Sequence, residues 1–123
     1  MEKMIALRGN GQRALGLFEL DEAGNVLYSS FDATDKSLNH EEDLKGTNFF
    51  TGVIRFANAA ALQRRFELFR LTGTQAQSFD FVCDYSDGKL EVRVLLARIF
   101  KNATNCSFLL HLRQLKDDQP IGT

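Results

Sequence analysis

The two cysteines have the most reactive side chains in this 123-residue sequence, because a thiolate can act as a nucleophile or as a metal ligand. Cys83 and Cys106 are 23 residues apart, and neither belongs to a CxxC pair or to a Cys/His spacing typical of a zinc site. Cysteines without such a pattern are commonly small apolar residues of the interior in a reducing compartment. We therefore predict that both are buried structural thiols.

The two histidines could bind a metal or transfer a proton near neutral pH. His40 lies in an acid-rich polar stretch, residues 31–45, which is typical of a solvated loop. His111 lies in an alternating pattern typical of a strand, in which every second residue faces the same side of the sheet. It therefore shares a face with Leu109 and Arg113, and this face is turned away from the core. Neither histidine is flanked by another histidine that could act as a second ligand for haem iron. We therefore predict no metal site and do not expect haem.

Catalytic and phosphate-binding motifs do not occur in the sequence. It contains no GxSxG, HExxH, GxGxxG or P-loop pattern, and "RGNGQR" at 8–13 lacks the preceding strand and the Lys-Ser/Thr pair of a phosphate-binding loop. We therefore predict a protein without enzymatic activity. Its formal net charge of −1 creates no overall field that would recruit nucleic acid or an anionic membrane surface.

The length and composition predict one domain. A chain of 123 residues with 44% apolar side chains can fill one core of ordinary size but not two. The charged N-terminus has no apolar run of the length that a signal peptide or a spanning helix needs, so we expect a cytoplasmic protein. We predict an N-terminal flank at 1–13, the domain at 14–115 and a C-terminal tail at 116–123.

Apolar patterning predicts two strands, a helical middle and three further strands. "ALGLFEL" (14–20) and "VLYSS" (26–30) flank the turn sequence "DEAGN", which predicts a β-hairpin. The stretch 58–72 has apolar residues at steps of three and four and precedes Gly73, which predicts a helix that ends at a left-handed residue. Alternation then predicts an antiparallel meander. Its strands are 78–85, 90–100 and 106–115.

In this predicted α+β fold, one parity of the meander faces the helix and the other forms an outer sheet face. The outer face is unusually apolar, which indicates that a partner chain or the N-terminal "MIAL" covers it. The predicted inward residues are Phe79, Phe81, Cys83, Tyr85, Leu90, Val92, Val94, Leu96, Phe100, Phe108, Leu110 and Leu112. The predicted interface residues on the outer face are Leu95, Ala97, Ile99 and Leu109.

The order of elements, together with "LDEAGNVLYSS" and "LKGTNFF", resembles a PAS domain. Within that superfamily the chain is most similar to the photoactive yellow protein family. The resemblance covers Phe18 to Leu115, and residues 20–56 align without a gap. It implies a five-stranded antiparallel sheet in the order 2-1-5-4-3 with helices on one face. It also implies a role in sensing or signal transduction.

The functional residues of that family are replaced in this sequence. The chromophore cysteine of the family aligns with Phe56, so a thioester to a cinnamoyl group cannot form, and the hydrogen-bonding tyrosine and glutamate align with Ser29 and Ala33. "NCSFLL" resembles the cysteine motif of flavin-binding light sensors, but Cys106 opens the last strand, whereas that cysteine precedes the long helix. The resemblance implies the fold without the photochemistry, and we expect no bound cofactor.

We predict that a small apolar or aromatic molecule binds between the sheet and the segment 29–56 and that its occupancy is relayed to a partner. An alternative is a ligand-free interaction module, in which eleven phenylalanines fill the interior and the outer sheet face forms a homodimer. A profilin-like or roadblock-type scaffold would share the five-stranded sheet but would not explain "KGTNFF". The predicted ligand-binding residues are Ser29, Ala33, Phe50, Phe56, Phe66, Phe81 and Leu96.

Overall fold

The structure, a computed structural model, describes residues 15–31, 44–102 and 104–115. Two residues singled out in the sequence, Ala33 and His40, lie outside these ranges, as do the whole of the predicted N-terminal flank, including "MIAL", and the whole of the predicted C-terminal tail. The described residues contain both predicted strand groups and the helix between them.

Five strands form one antiparallel sheet in the order β2-β1-β5-β4-β3. Strand β1, which comes early in the chain, therefore lies beside the last strand, and Phe18 at its centre pairs with both Ser29 and Leu110. The predicted α+β fold and strand order are confirmed. The strands are β1 (Gly16–Leu20), β2 (Val26–Phe31), β3 (Ala76–Tyr85), β4 (Gly88–Asn102) and β5 (Asn105–Gln114).

One α-helix, α1 (Ala59–Thr72), covers the inner face of the sheet. Its buried residues repeat at steps of three and four, as predicted, so one stripe of the helix faces the sheet. Gly73 follows with φ of 81°, in the left-handed region that ends many helices. The buried residues of the stripe are Leu62, Phe66 and Phe69.

Asn58, which precedes α1, anchors the helix to the sheet instead of capping it. Its side-chain amide donates to the Val82 carbonyl at 2.8 Å and its oxygen accepts from the Asp84 amide at 3.0 Å. The Ala57 amide also donates to the Asp84 carbonyl, at 2.8 Å. The start of the helix is therefore fixed to the outer edge of β3 by three hydrogen bonds.

The predicted inward parity of the meander is confirmed at its centre. The ring centroid of Phe108 on β5 lies 5.4 Å from that of Phe66 and 6.4 Å from that of Phe69, both on α1. Leu110, the next residue of this parity, is fully buried. All strand pairs of the meander are antiparallel. Helix and sheet therefore enclose the phenylalanine-rich core that the sequence predicts.

Phe100 is a correction to the predicted core. It has the inward parity of β4, but its side chain is 62% exposed because the strand extends beyond the end of α1. Arg98 occupies the last covered position, and its guanidinium lies over the ring of Phe108 at 5.3 Å. The same guanidinium donates to the Phe69 carbonyl at 2.9 Å and to the Thr74 carbonyl at 3.2 Å. Arg98 therefore satisfies carbonyl groups at the C-terminal end of the helix.

The outer face of the sheet carries the predicted apolar residues. Ala97 pairs with Leu109 and Leu95 pairs with His111, so these side chains share the surface opposite α1. None of these four is fully buried. Near the β4–β5 turn the face becomes polar, because Ser107 donates to Glu19 at 2.6 Å and Lys101 forms an ion pair with the same carboxylate at 2.9 Å. These two contacts hold the pKa of Glu19 below its usual value.

Candidate functional site

The segment that precedes α1 is hydrogen-bonded to the β1–β2 turn. The Val26 amide donates to the Thr47 carbonyl at 2.9 Å, and the Gly46 amide donates to the Val26 carbonyl at 2.8 Å. The Phe49 amide donates to the Gly24 carbonyl at 2.8 Å. The "DEAGN" and "KGTNFF" fragments, which are distant in sequence, therefore form one structural unit beside the strand hairpin.

Asn48 is the central residue of this unit. Its side-chain oxygen accepts from the amides of Phe50 at 3.0 Å and Thr51 at 3.2 Å, which caps a short π-helix, Phe49–Val53. Its amide nitrogen donates to the Ala23 carbonyl at 3.0 Å and to the Asn25 side-chain oxygen at 3.4 Å. Asn48 is not among the residues predicted from the sequence, although asparagine before an apolar run is a helix-start signal.

Gly24 brings the turn against an aromatic ring. It has a φ of 91°, and a Cβ built on it would lie 3.1 Å from a ring carbon of Phe50. Any larger residue would be strained by its backbone conformation and would also press on this ring. The glycine of "DEAGN" therefore permits the close approach of Phe50.

A row of phenyl rings crosses the interior from β2 to β5. Adjacent rings have centroid distances between 4.8 and 5.6 Å, within the range of favourable edge-to-face and tilted contacts. These rings pack against one another between the hairpin, the π-helix and α1. The row consists of Phe31, Phe18, Phe49, Phe50, Phe66 and Phe108, in that order.

The predicted ligand-binding residues occupy two parts of this interior. Phe50 and Phe66 contact each other within the row, at 5.2 Å between centroids. Phe56 and Phe81 form a second contact near β3, at 6.0 Å. Leu96, on the inner face of β4, is fully buried.

Ser29 is the polar member of the predicted set. It lies on the inner face of β2, opposite Phe18 on β1, and is only 5% exposed. Its hydroxyl oxygen has no hydrogen-bond partner in the part of the chain that the structure describes. A buried hydroxyl without a hydrogen-bond partner costs about 1–3 kcal/mol of folding free energy.

Within the described part of the chain, the other reactive residues are not gathered into a second site. Cys83 is buried and Cys106 is partly buried, and neither forms a disulfide. His111 lies on the outer sheet face between Leu17 and Leu95. Among residues 15–31, 44–102 and 104–115, no group of three His, Cys, Asp or Glu side chains could hold a metal ion. Within the same ranges no helix has the length and apolar character to cross a bilayer.

Solved structures of PAS domains are similar to this chain over most of its length. The photoactive yellow protein domain of the sensor histidine kinase Ppr from Rhodospirillum centenum is 26% identical, with a TM-score of 0.59, and the match covers 80% of this chain and 84% of that chain. The PAS domain of the quorum-sensing receptor RpfR from Cronobacter turicensis, in complex with BDSF, is 17% identical, with a TM-score of 0.55 and coverage of 84% and 95%.

A third similar structure is the PAS domain of BvgS from Bordetella pertussis, which is 14% identical, with a TM-score of 0.58 and coverage of 98% and 92%. No protein-family model matches the sequence, and no curated protein is significantly similar to it. The predicted resemblance is nevertheless confirmed by the structural matches, which include a photoactive yellow protein domain. The described residues therefore have the PAS fold.

Proposed function

We propose that this PAS domain is a sensory domain that binds a small apolar or aromatic molecule between the sheet and the segment before α1. The observation that carries this proposal is the buried hydroxyl of Ser29, which has no partner among the described residues. In a wholly structural core, such a group would be destabilising without compensation. A ligand that accepts or donates one hydrogen bond would satisfy it.

The proposed walls of the site are apolar, so the ligand is expected to have an apolar body and one polar group. The solved PAS domain of RpfR binds BDSF in one structure and C12:0 in another. These complexes support a ligand of this general chemistry. The proposed ligand-binding residues are Ser29, Ala33, Phe50, Phe56, Phe66, Phe81 and Leu96, of which Ala33 lies outside the described residues.

The unit formed by the turn and the π-helix offers a route for the signal. A ligand that displaces the ring of Phe50 would also disturb Gly24, because the two residues are in close contact. The hydrogen bonds of Asn48 connect the same π-helix to Ala23 and Asn25 in the turn. Occupancy would therefore shift the β1–β2 turn, where a partner could detect it. In this proposal the domain, residues 14–115, acts in the cytoplasm and without catalysis.

Replacing Ser29 with alanine is expected to have two opposite effects. It should weaken ligand binding roughly fivefold, because one hydrogen bond contributes about 1 kcal/mol. It should also raise the free energy of unfolding of the ligand-free protein by about 1 kcal/mol, because a buried hydroxyl without a partner is removed. Calorimetric titration with C12:0 and with 4-hydroxycinnamate, and denaturant melts, would measure these effects.

Ser30→Ala is the matched control, because Ser30 is the next residue of β2 and points to the other face of the sheet. It should change neither binding nor stability appreciably. Native mass spectrometry of the purified protein would also reveal a molecule that copurifies with it. A polypeptide mass alone, together with no binding of either probe, would contradict the proposed ligand site.

A second candidate function is an interaction module that relays a signal by homodimerisation through the outer sheet face. It is favoured by the row of phenyl rings, which fills interior space, and by the partial exposure of the apolar outer residues. The proposed interface consists of Leu95, Ala97, Ile99 and Leu109.

Replacing Leu95 or Ile99 with aspartate is expected to convert such a dimer into a monomer, because a charge would be buried without a partner. Sedimentation velocity would measure the change in mass. Leu68→Asp is the control, since Leu68 is exposed on α1 and belongs to a different surface. A dimer that survives both outer-face substitutions would exclude this interface.

A further inference from the structure

The strand β3 lies at the edge of the sheet and is unusually exposed. It pairs with β4 on one side, and no further strand follows it within the described residues. Ala76, Gln77 and Ser78 are exposed in succession, although neighbouring residues of a strand point to opposite faces. The first half of β3 is therefore open on both faces as well as along its edge.

The direction of the backbone groups in β3 follows from hydrogen bonds at its two ends. The Gln75 carbonyl accepts from the Arg98 amide at 3.0 Å, so the backbone N–H and C=O groups of odd-numbered residues point toward β4. Asn58 binds the Val82 carbonyl and the Asp84 amide, so the backbone groups of even-numbered residues point to the open edge. The register of β3 with β4 contains no shift, so this alternation holds along the whole strand.

Three even-numbered residues consequently present both backbone groups at the edge. These N–H and C=O groups have no partner strand in the part of the chain that the structure describes, and such an edge is a template for pairing with another strand. Toward the end of β3 the edge is already occupied, since Asn58 and Ala57 bind Val82 and Asp84. The residues with open edge groups are Ala76, Ser78 and Asp80.

We propose that a second copy of this chain pairs with β3 along this edge, antiparallel and about a two-fold axis at Ser78. Ser78 then lies opposite Ser78 of the second copy, and Ala76 lies opposite Asp80 of the second copy. Both chains use the same five residues, 76–80, which is the self-complementarity that two-fold symmetry requires. The two sheets become one continuous sheet across the contact.

The side chains in this register are compatible with each other. No like charges face one another, and Asp80 keeps its own ion pair with Arg93. On the inner face, Gln77 lies opposite Phe79 of the second copy, whose ring is already contacted by the Arg65 guanidinium at 3.8 Å in its own chain. The pairing therefore leaves no new charge without a partner.

Two neighbouring registers, with the axis at Phe79 or at Asp80, are disfavoured by features of the same strand. An axis at Asp80 would place two carboxylates directly opposite each other, which is repulsive. An axis at Phe79 would require the outward groups of Val82, whose carbonyl already accepts from Asn58 at 2.8 Å. The axis at Ser78 uses only the open part of the edge. Because five residue pairs bury little surface, the contact should be weak and depend on concentration.

Charge substitutions at the two-fold axis test the proposal directly. Ser78→Lys and Ser78→Glu should each weaken self-association roughly tenfold or more, because like charges then lie opposite each other. An equimolar mixture of the two variants should associate at least as strongly as the native protein, because opposite charges then meet. Sedimentation equilibrium up to a concentration on the order of 1 mM would measure all three.

Ser78→Pro provides a variant without added charge. It removes the outward N–H at the axis and leaves the bonds of β3 to β4 in place, so the fold should persist and association should fall. Thermal melts of each variant would confirm that it folds. All measurements would be repeated with Ile99→Asp present, which separates this contact from association through the outer face. A native protein that stays monomeric, or variants that associate unchanged, would overturn the proposal.

Discussion

Replacing Phe66 with alanine is expected to lower the free energy of unfolding by about 3–5 kcal/mol, the largest loss from any single substitution considered for this protein. Phe66 joins the two halves of the phenyl row, because its ring contacts Phe50 at 5.2 Å and Phe108 at 5.4 Å. It is also almost completely buried, so truncation would leave a cavity between α1 and the sheet. Both ring contacts and the buried apolar area would be lost together.

Urea or guanidinium denaturation followed by circular dichroism would measure this loss. Leu68→Ala is the matched control, because Leu68 is on the same helix and its side chain is 56% exposed. That variant should stay within about 0.5 kcal/mol of the native protein. If Phe66→Ala lowered the free energy of unfolding no more than Leu68→Ala, Phe66 would not be packed between α1 and the sheet as described.

Replacing Asn48 with alanine is expected to lower the free energy of unfolding by about 2–3 kcal/mol. The loss of a side-chain cap costs about 1 kcal/mol, and each lost hydrogen bond between the π-helix and the turn contributes about 0.5–1.5 kcal/mol. The substitution removes acceptance from Phe50 and Thr51 and donation to Ala23 and Asn25. It should also separate the turn from the segment before α1.

Asn48→Asp divides these contributions. A carboxylate can still accept from the amides of Phe50 and Thr51, but it cannot donate to the Ala23 carbonyl or to Asn25. Its loss of stability should therefore fall between those of the native protein and the alanine variant. Amide hydrogen exchange at Gly24 and Phe49 would locate the effect. Equal stability of all three proteins would show that Asn48 does not connect the two fragments.

The strands and the helix were predictable because each carries a strong periodic signal. Alternation over the meander and steps of three and four in α1 reflect burial on one side of a regular backbone. Gly73 marks the helix end because only glycine adopts its left-handed conformation without strain. In these elements local geometry and burial agree, so a single sequence was sufficient.

Phe100 shows where periodicity stops being informative. Parity placed it correctly on the inner face, but parity does not report how far the covering helix extends. Arg98 lies two residues earlier, and its long stem and guanidinium close the end of the core where an apolar residue would be expected. Whether an arginine points into solvent or over aromatic rings depends on the tertiary arrangement.

The candidate site was predictable only in part. Burial of Phe50 and Phe66 follows from their type and spacing, but their ring contact joins two segments that pattern analysis treats separately. The role of Asn48 depends on a turn more than twenty residues earlier in the chain. The hydroxyl of Ser29 is notable because it has no hydrogen-bond partner among the described residues, and residue type alone cannot indicate this.

The pairing of β1 with β5 has a consequence for the order in which this protein can be assembled. The ribosome synthesises the β1–β2 hairpin before the rest of the sheet. The other strand that pairs with β1 is β5, in which the partner of Gly16 is Leu112, almost one hundred residues later. Until that residue has emerged, the nascent hairpin has an incomplete sheet and an uncovered apolar face. Such species are prone to aggregation. Pairing of β1 with β5, which must wait until residue 112 has been synthesised, is therefore the step that protects the nascent domain.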